Sequence, residues 1–123
     1  MANLTVKGEI YLNTYLADGT TGYNRIGIYG STGGAADALI DTVKTPTWTL
    51  VTGGTSLALS GTKPTFTVPA DTYVKGVVLF NATEGVTFAD ALAKYEYDVP
   101  QYTQYGATAT IDTLTYNFEL FSL

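Results

Sequence analysis

Hydrophobic and polar positions along this chain alternate in short runs that glycine and proline interrupt. The clearest run is residues 64–88, PTFTVPADTYVKGVVLFNATEGVTF. Phe66 and Val68 share one face of a strand that Pro69 ends, and a Pro-Ala-Asp-Thr turn follows. Tyr73 to Phe80 is the longest apolar stretch, with Val74, Val77, Val78, Leu79 and Phe80. A stretch apolar on both parities predicts a central strand covered on both faces. Asn81 to Gly85 reads as a turn.

The remaining runs are shorter. Asn24 to Tyr29 alternates with Ile26 and Ile28 inward, which predicts a strand. The glycine-rich stretch after it predicts a mobile, exposed loop over 30–38. Leu39 to Val43 reads as a weak strand before Pro46, and Thr47 to Val51 as a strand centred on Trp48 and Leu50. A turn at Gly53-Gly54 leads to a short return strand carrying Leu57 and Leu59. Residues 61–64 turn again. Beyond Gly85, Phe88, Leu92 and Tyr95 have helical spacing, but Ala91, Ala93, Tyr95, Tyr97 and Val99 alternate. The alternation favours a strand from about Leu92 to Val99, closed by Pro100. Ala107 to Ile111 and Leu114 to Phe121 are the last predicted strands, with Leu114, Tyr116, Phe118 and Leu120 inward.

The N-terminal segment 4–16 fits two patterns. Leu4, Gly8, Leu12, Tyr15 and Leu16 make a helical stripe, while Leu4, Val6, Gly8, Ile10, Leu12 and Leu16 share one parity. Pattern alone leaves both open. About eight short strands separated by Gly and Pro turns predict an all-β fold: an antiparallel β-sandwich, Ig-like or jelly-roll-like, over 1–123 as one domain. Its expected core includes Trp48, Phe66, Val68, Val77, Leu79 and Phe118.

Composition narrows the chemistry. Cysteine and histidine are absent from the 123 residues. That removes disulfides, thiolate metal sites and the commonest general base. The four serines, Ser31, Ser56, Ser60 and Ser122, lie outside any G-x-S-x-G context. Asp37 with Asp41 and Glu96 with Asp98 are the carboxylate pairs closest in sequence; both read more simply as solvated polar positions than as an acid–base pair. No D-x-D-x-D-G calcium loop exists, and a site from Asp90, Asp98 and Asp112 would need them to meet in space, which the sequence leaves open. The sequence thus predicts no catalytic residue, no metal and no cofactor.

The formal charge is −5, and Lys7, Arg25, Lys44, Lys63, Lys75 and Lys94 form no basic stripe, so no nucleic-acid partner is expected. No apolar run approaches the ~18–20 residues of a membrane span. No signal peptide is visible. The chain is expected to be made in the cytosol and to stay soluble until assembled. Only 14% of residues are charged, against about a quarter in ordinary soluble domains. That shortfall, with the abundance of Tyr and Thr, predicts a surface partly covered by other copies or partners. Tyr102 and Tyr105, together with Ser31 and Thr32 of the 30–38 stretch, are the candidate contact residues. Tyr95, Tyr97 and Trp48 are assigned to packing.

The order of elements resembles a family of small tailed-bacteriophage virion structural proteins. The resemblance rests on Leu4-Thr5, Gly8, Leu12 and Leu16, on Arg25-Ile26-Gly27-Ile28-Tyr29, and on Thr47-Trp48-Thr49. Its most distinctive part is Phe66-Thr67-Val68-Pro69-Ala70-Asp71-Thr72 followed by Val74, Leu79 and Ala82. Here Asp71 stands where the family has a turn glycine, and Val6 and Ile10 where it has small or polar residues. The resemblance implies a short N-terminal helix from about Thr5 to Ala17. It also implies a virion role as a head-decoration, tail-fibre or minor structural protein. The expected partners are a major capsid protein or tail and baseplate proteins, in a homo-oligomer or repeated assembly. The function expected first is capsid decoration. The alternatives are a tail, baseplate or fibre-attached module with host-surface binding, and a carbohydrate-binding β-sandwich domain.

Overall fold

A computed structural model describes residues 5–117, with side chains through 114. The chain opens with helix α1, Val6–Ala17. Thr5 caps it, its hydroxyl accepting from the Gly8 N–H at 3.0 Å. Gly8 therefore sits in the first turn, where it serves the cap and weakens the helix little. Chain reversal after α1 brings Gly22 against the Leu16 carbonyl, so close that a Cβ would overlap it. The Tyr23 N–H then donates to that same carbonyl at 2.8 Å.

Nine strands follow among the described residues: β1 (Arg25–Thr32), β2 (Ala38–Lys44), β3 (Trp48–Val51), β4 (Ser56–Leu59), β5 (Thr65–Val68), β6 (Thr72–Phe80), β7 (Ala93–Thr103), β8 (Ala107–Thr110) and β9 (Thr115–Asn117). They form a four-stranded sheet in the order β2-β1-β6-β7, a three-stranded sheet β3-β4-β9 and a two-stranded sheet β5-β8, all antiparallel. The two small sheets face one side of the large one, which is the sandwich the alternation predicted.

β6 is central, as its two apolar parities required. Val74, Val77 and Leu79 join Ile26, Ile28, Phe66 and Leu57 in the inter-sheet core. Val78 and Phe80 face the other way, packing with Tyr29 beneath Phe88 and Ala91 of the 81–92 connection. Phe66, Val68, Val77 and Leu79 are buried as expected. Trp48 is half-buried against that core, and its Nε1–H donates to the Tyr23 carbonyl at 2.8 Å. Phe118 lies outside the described residues.

The structure corrects two element boundaries. The stretch from Gly30 to Thr32 is strand, not loop, paired with Val74, Tyr73 and Thr72; only 33–37 turn. Gly30 is there because the Tyr73 carbonyl crosses where its Cβ would stand, so close packing, rather than flexibility, requires the glycine. Pro100 does not close β7. β7 is an edge strand, where a missing N–H breaks no ladder.

β5–β6 and β7–β8 are two arms of one ribbon folded at an elbow. The Thr72–Thr103 and Val68–Ala107 pairs flank it. Across the fold, the Asp71 N–H donates to the Gln104 carbonyl at 3.2 Å. Asp71 takes φ +54° and Gly106 φ +89°, the left-handed conformations that let both strands turn together. Aspartate tolerates this region better than most residues, which accounts for Asp71 at a position the resemblance gives to glycine.

Candidate docking groove

The elbow leaves the sandwich open along one side, between β7 and β8. The register of β7 on β6 explains the opening. Val74 pairs with Gln101 but Gly76 with Glu96, five residues on β7 against two on β6. Tyr97, Asp98, Val99 and Pro100 are thrown out as a bulge, which bends the strand and re-aims its side chains. The result is a groove of about 620 Å³, floored by Val68 and Val74 and walled by Tyr97, Val99, Ala107 and Ala109. A second hollow of about 380 Å³ shares Tyr95 and Tyr97 and runs on past Ile111 and Leu114.

The groove is apolar below and polar at its rim. Tyr95 is 57% exposed and Val99 68%. Tyr95 and Tyr97 meet edge to face, with centroids 6.0 Å apart and planes at 72°. Burial, with Tyr95 adding, pushes the Tyr97 hydroxyl above the ordinary tyrosine range. Gln101, Thr103, Thr108 and Thr110 supply polar groups, and Asp98 is the charged residue of the lining.

The residues singled out from the sequence lie in different environments. Tyr105 is 87% exposed, on the short link between β7 and β8. Tyr102 is half-exposed on the outer face of the large sheet, stacked on Tyr73 with centroids 4.6 Å apart. Its hydroxyl donates to Asp71 Oδ1 at 2.9 Å. That hydrogen bond, ahead of burial, holds the Tyr102 hydroxyl above its usual range. Ser31 is buried, and its hydroxyl donates to the Ala35 carbonyl at 2.6 Å. Thr32 is exposed and shares a 2.9 Å hydrogen bond with Thr72. Ser31 and Tyr102 pair with Tyr73 from either side and Thr32 pairs with Thr72, but none of the four lines the groove.

Asp37, Asp41 and Asp90 each have separate partners. Asp37 pairs with Lys75 at 2.8 Å. Asp41 accepts from the Thr67 N–H at 2.7 Å and from the Thr42 N–H at 2.8 Å, and these bonds hold its carboxyl below the usual range. Asp90 accepts from the Thr87 hydroxyl and N–H at 2.6 and 3.1 Å, which lowers it likewise. Among the described residues no group of three or more acidic side chains gathers as a metal site would require. Nor is any helix there long and apolar enough to cross a membrane.

Sequence reasoning missed Val99 and the exposure of Tyr95 as parts of a surface. The signal was the Asp98-Val99-Pro100 step, where a hydrophobe sits beside a residue that cannot donate to a ladder. It also missed Tyr11 and Tyr15, four residues apart and exposed on the outer side of α1. Comparison with family models, with curated proteins and with solved structures found no match to this chain.

Proposed function

We propose that this chain is a non-enzymatic structural module of a bacteriophage virion that docks on a larger protein assembly, most specifically as a capsid decoration protein. The observation that carries the docking part is the open groove at the elbow, lined in part by exposed Tyr95 and Val99. Stable protein interfaces are enriched in tyrosine and poor in Lys, Glu and Asp at their centres, and this lining has that character. The virion part rests on the resemblance carried by residues 66–82 and on the low charge content of the chain.

A tail or baseplate location is the second reading. It is favoured by Tyr105, which stands almost fully exposed on the link between β7 and β8, as a contact to a host surface would. The carbohydrate-binding reading is weaker, because the edge-to-face Tyr95 and Tyr97 rings make no flat platform for a sugar ring.

The experiment is uptake by particles prepared without the protein, at low and high salt. Uptake that persists near 1 M salt, where the screening length is about 3 Å, fits apolar docking on the head. Binding confined to tails selects the second reading. A protein that associates with no particle defeats both.

A further inference from the structure

Native sheets protect their edges, and both edges of the large sheet are protected. The edge of β2 faces β5, where Asp41 receives the Thr67 N–H. β7 carries Lys94, Glu96, a bulge and Pro100. β8, Ala107-Thr108-Ala109-Thr110, has no charge, no proline and no bulge, and its one strand neighbour among the described residues is β5.

The direction of its main-chain groups can be worked out. The Thr67 N–H turns away from β8 to reach Asp41, so the Thr67–Thr108 pair is one of the non-hydrogen-bonded pairs of an antiparallel ladder. The Ile111 N–H donates to the Pro64 carbonyl at 3.0 Å, as that alternation requires. Thr108 and Thr110 therefore present their N–H and C=O groups to the free side. Both residues line the 620 Å³ groove.

We propose that β8 is a strand acceptor: an extended segment of the partner protein lies in the groove and pairs with the main chain of Thr108 and Thr110. This rests on the assembly reading above and names how the partner is held. Main-chain bonds would give affinity, and alternate side chains would drop onto Val68, Val74 and Tyr97. Asp98, the charged residue of the lining in a chain of net charge −5, selects a segment with a Lys or Arg beside small apolar residues.

The test uses full-length protein and the capped peptide Thr-Val-Thr-Lys-Thr-Val-Thr, followed by NMR amide exchange. The peptide should slow exchange at Thr108 and Thr110. Thr108→Pro removes an outward N–H and spares the β5–β8 ladder, so the variant should fold and bind the peptide about tenfold more weakly. Asp98→Asn should weaken binding by a smaller factor that salt abolishes. A peptide that leaves β8 exchange unchanged, or that binds Thr108→Pro as tightly, overturns the proposal. So does protection that exists without peptide and vanishes when the chain is cut after Asn117, because the chain's own C-terminal residues would then be the occupant. Particles distinguish the two levels of inference. Equal uptake of wild type and Thr108→Pro overturns the strand acceptor and leaves the assembly reading standing. No uptake of the wild type, beside a peptide that protects Thr108 and Thr110, sinks the assembly reading and upholds the acceptor.

Discussion

β1 and β6 on one side, and β7 and β8 on the other, are neighbours in one fold but satisfy different demands. From Ile26 to Ser31 every residue of β1 is buried, and from Gly76 to Phe80 every residue of β6. Both faces of these strands meet other elements, so side-chain volume is constrained everywhere. Among the described residues β7 and β8 have one strand neighbour each, and their residues are exposed or half-buried. The closed pair carries stability. The open pair carries surface that a partner can use, and it tolerates a bulge that a central strand would not.

Truncation should separate the two most sharply. Phe80 is fully buried in the outer cluster, so Phe80→Ala should cost about 3–5 kcal/mol in denaturant unfolding. Val99→Ala, on the open side, should change stability by no more than about 0.5 kcal/mol while weakening uptake by particles. Equal losses from the two would erase the distinction.

Gly76 joins the regions. A Cβ there would overlap the Tyr95 carbonyl and crowd the Tyr29 ring. Gly76→Ala should therefore cost about 1–3 kcal/mol, and amide exchange should rise in β7 before it rises in β1. A variant with unchanged β7 exchange would show that the edge is held elsewhere.

Acid should act through surface ties that lie outside both strand pairs. Asp18, Asp41 and Asp90 are all lowered by hydrogen bonds, from Thr20 and Thr21, from Thr67 and Thr42, and from Thr87. A lowered carboxyl stabilises the fold fully above the ordinary aspartate range and loses that contribution as pH falls through its folded value. Thermal stability should drop as pH falls below about 4. Asp41→Asn should flatten that drop, because its carboxylate ties β2 to β5. A pH profile identical to wild type would show that this tie contributes nothing.

The smallest effect is expected at the elbow. Tyr102→Phe removes the bond to Asp71 and keeps the stacking on Tyr73, in a half-exposed setting. It should cost only a small part of what Phe80→Ala costs in the same unfolding experiment. It should also lose less stability than wild type between neutral and strongly alkaline pH, since the raised Tyr102 hydroxyl stabilises the fold fully below the ordinary tyrosine range and loses that contribution as pH rises through its folded value. A Tyr102→Phe variant with the alkaline profile of wild type would remove the hydroxyl from this account.

The β-class, the two-faced character of β6 and the buried positions Phe66, Val68, Val77 and Leu79 were determined by the sequence alone. Each depends on a local period of two, which a short run displays in full. The helix over 6–17 was half-legible: the stripe was present, but its parity also fitted a strand. Burial against β3 and β4, with Asn13 Nδ2 donating to the Gly54 carbonyl at 3.1 Å, belongs to the helical choice. Gly30 misled because an absent side chain signals a loop and a close crossing equally well. The bulge at 97–100, the exposure of Tyr95 and the free edge of β8 were decided only by tertiary structure. Register is a relation between two strands, and an unpaired edge is defined by a neighbour that is missing; neither is a property of the residues that carry it.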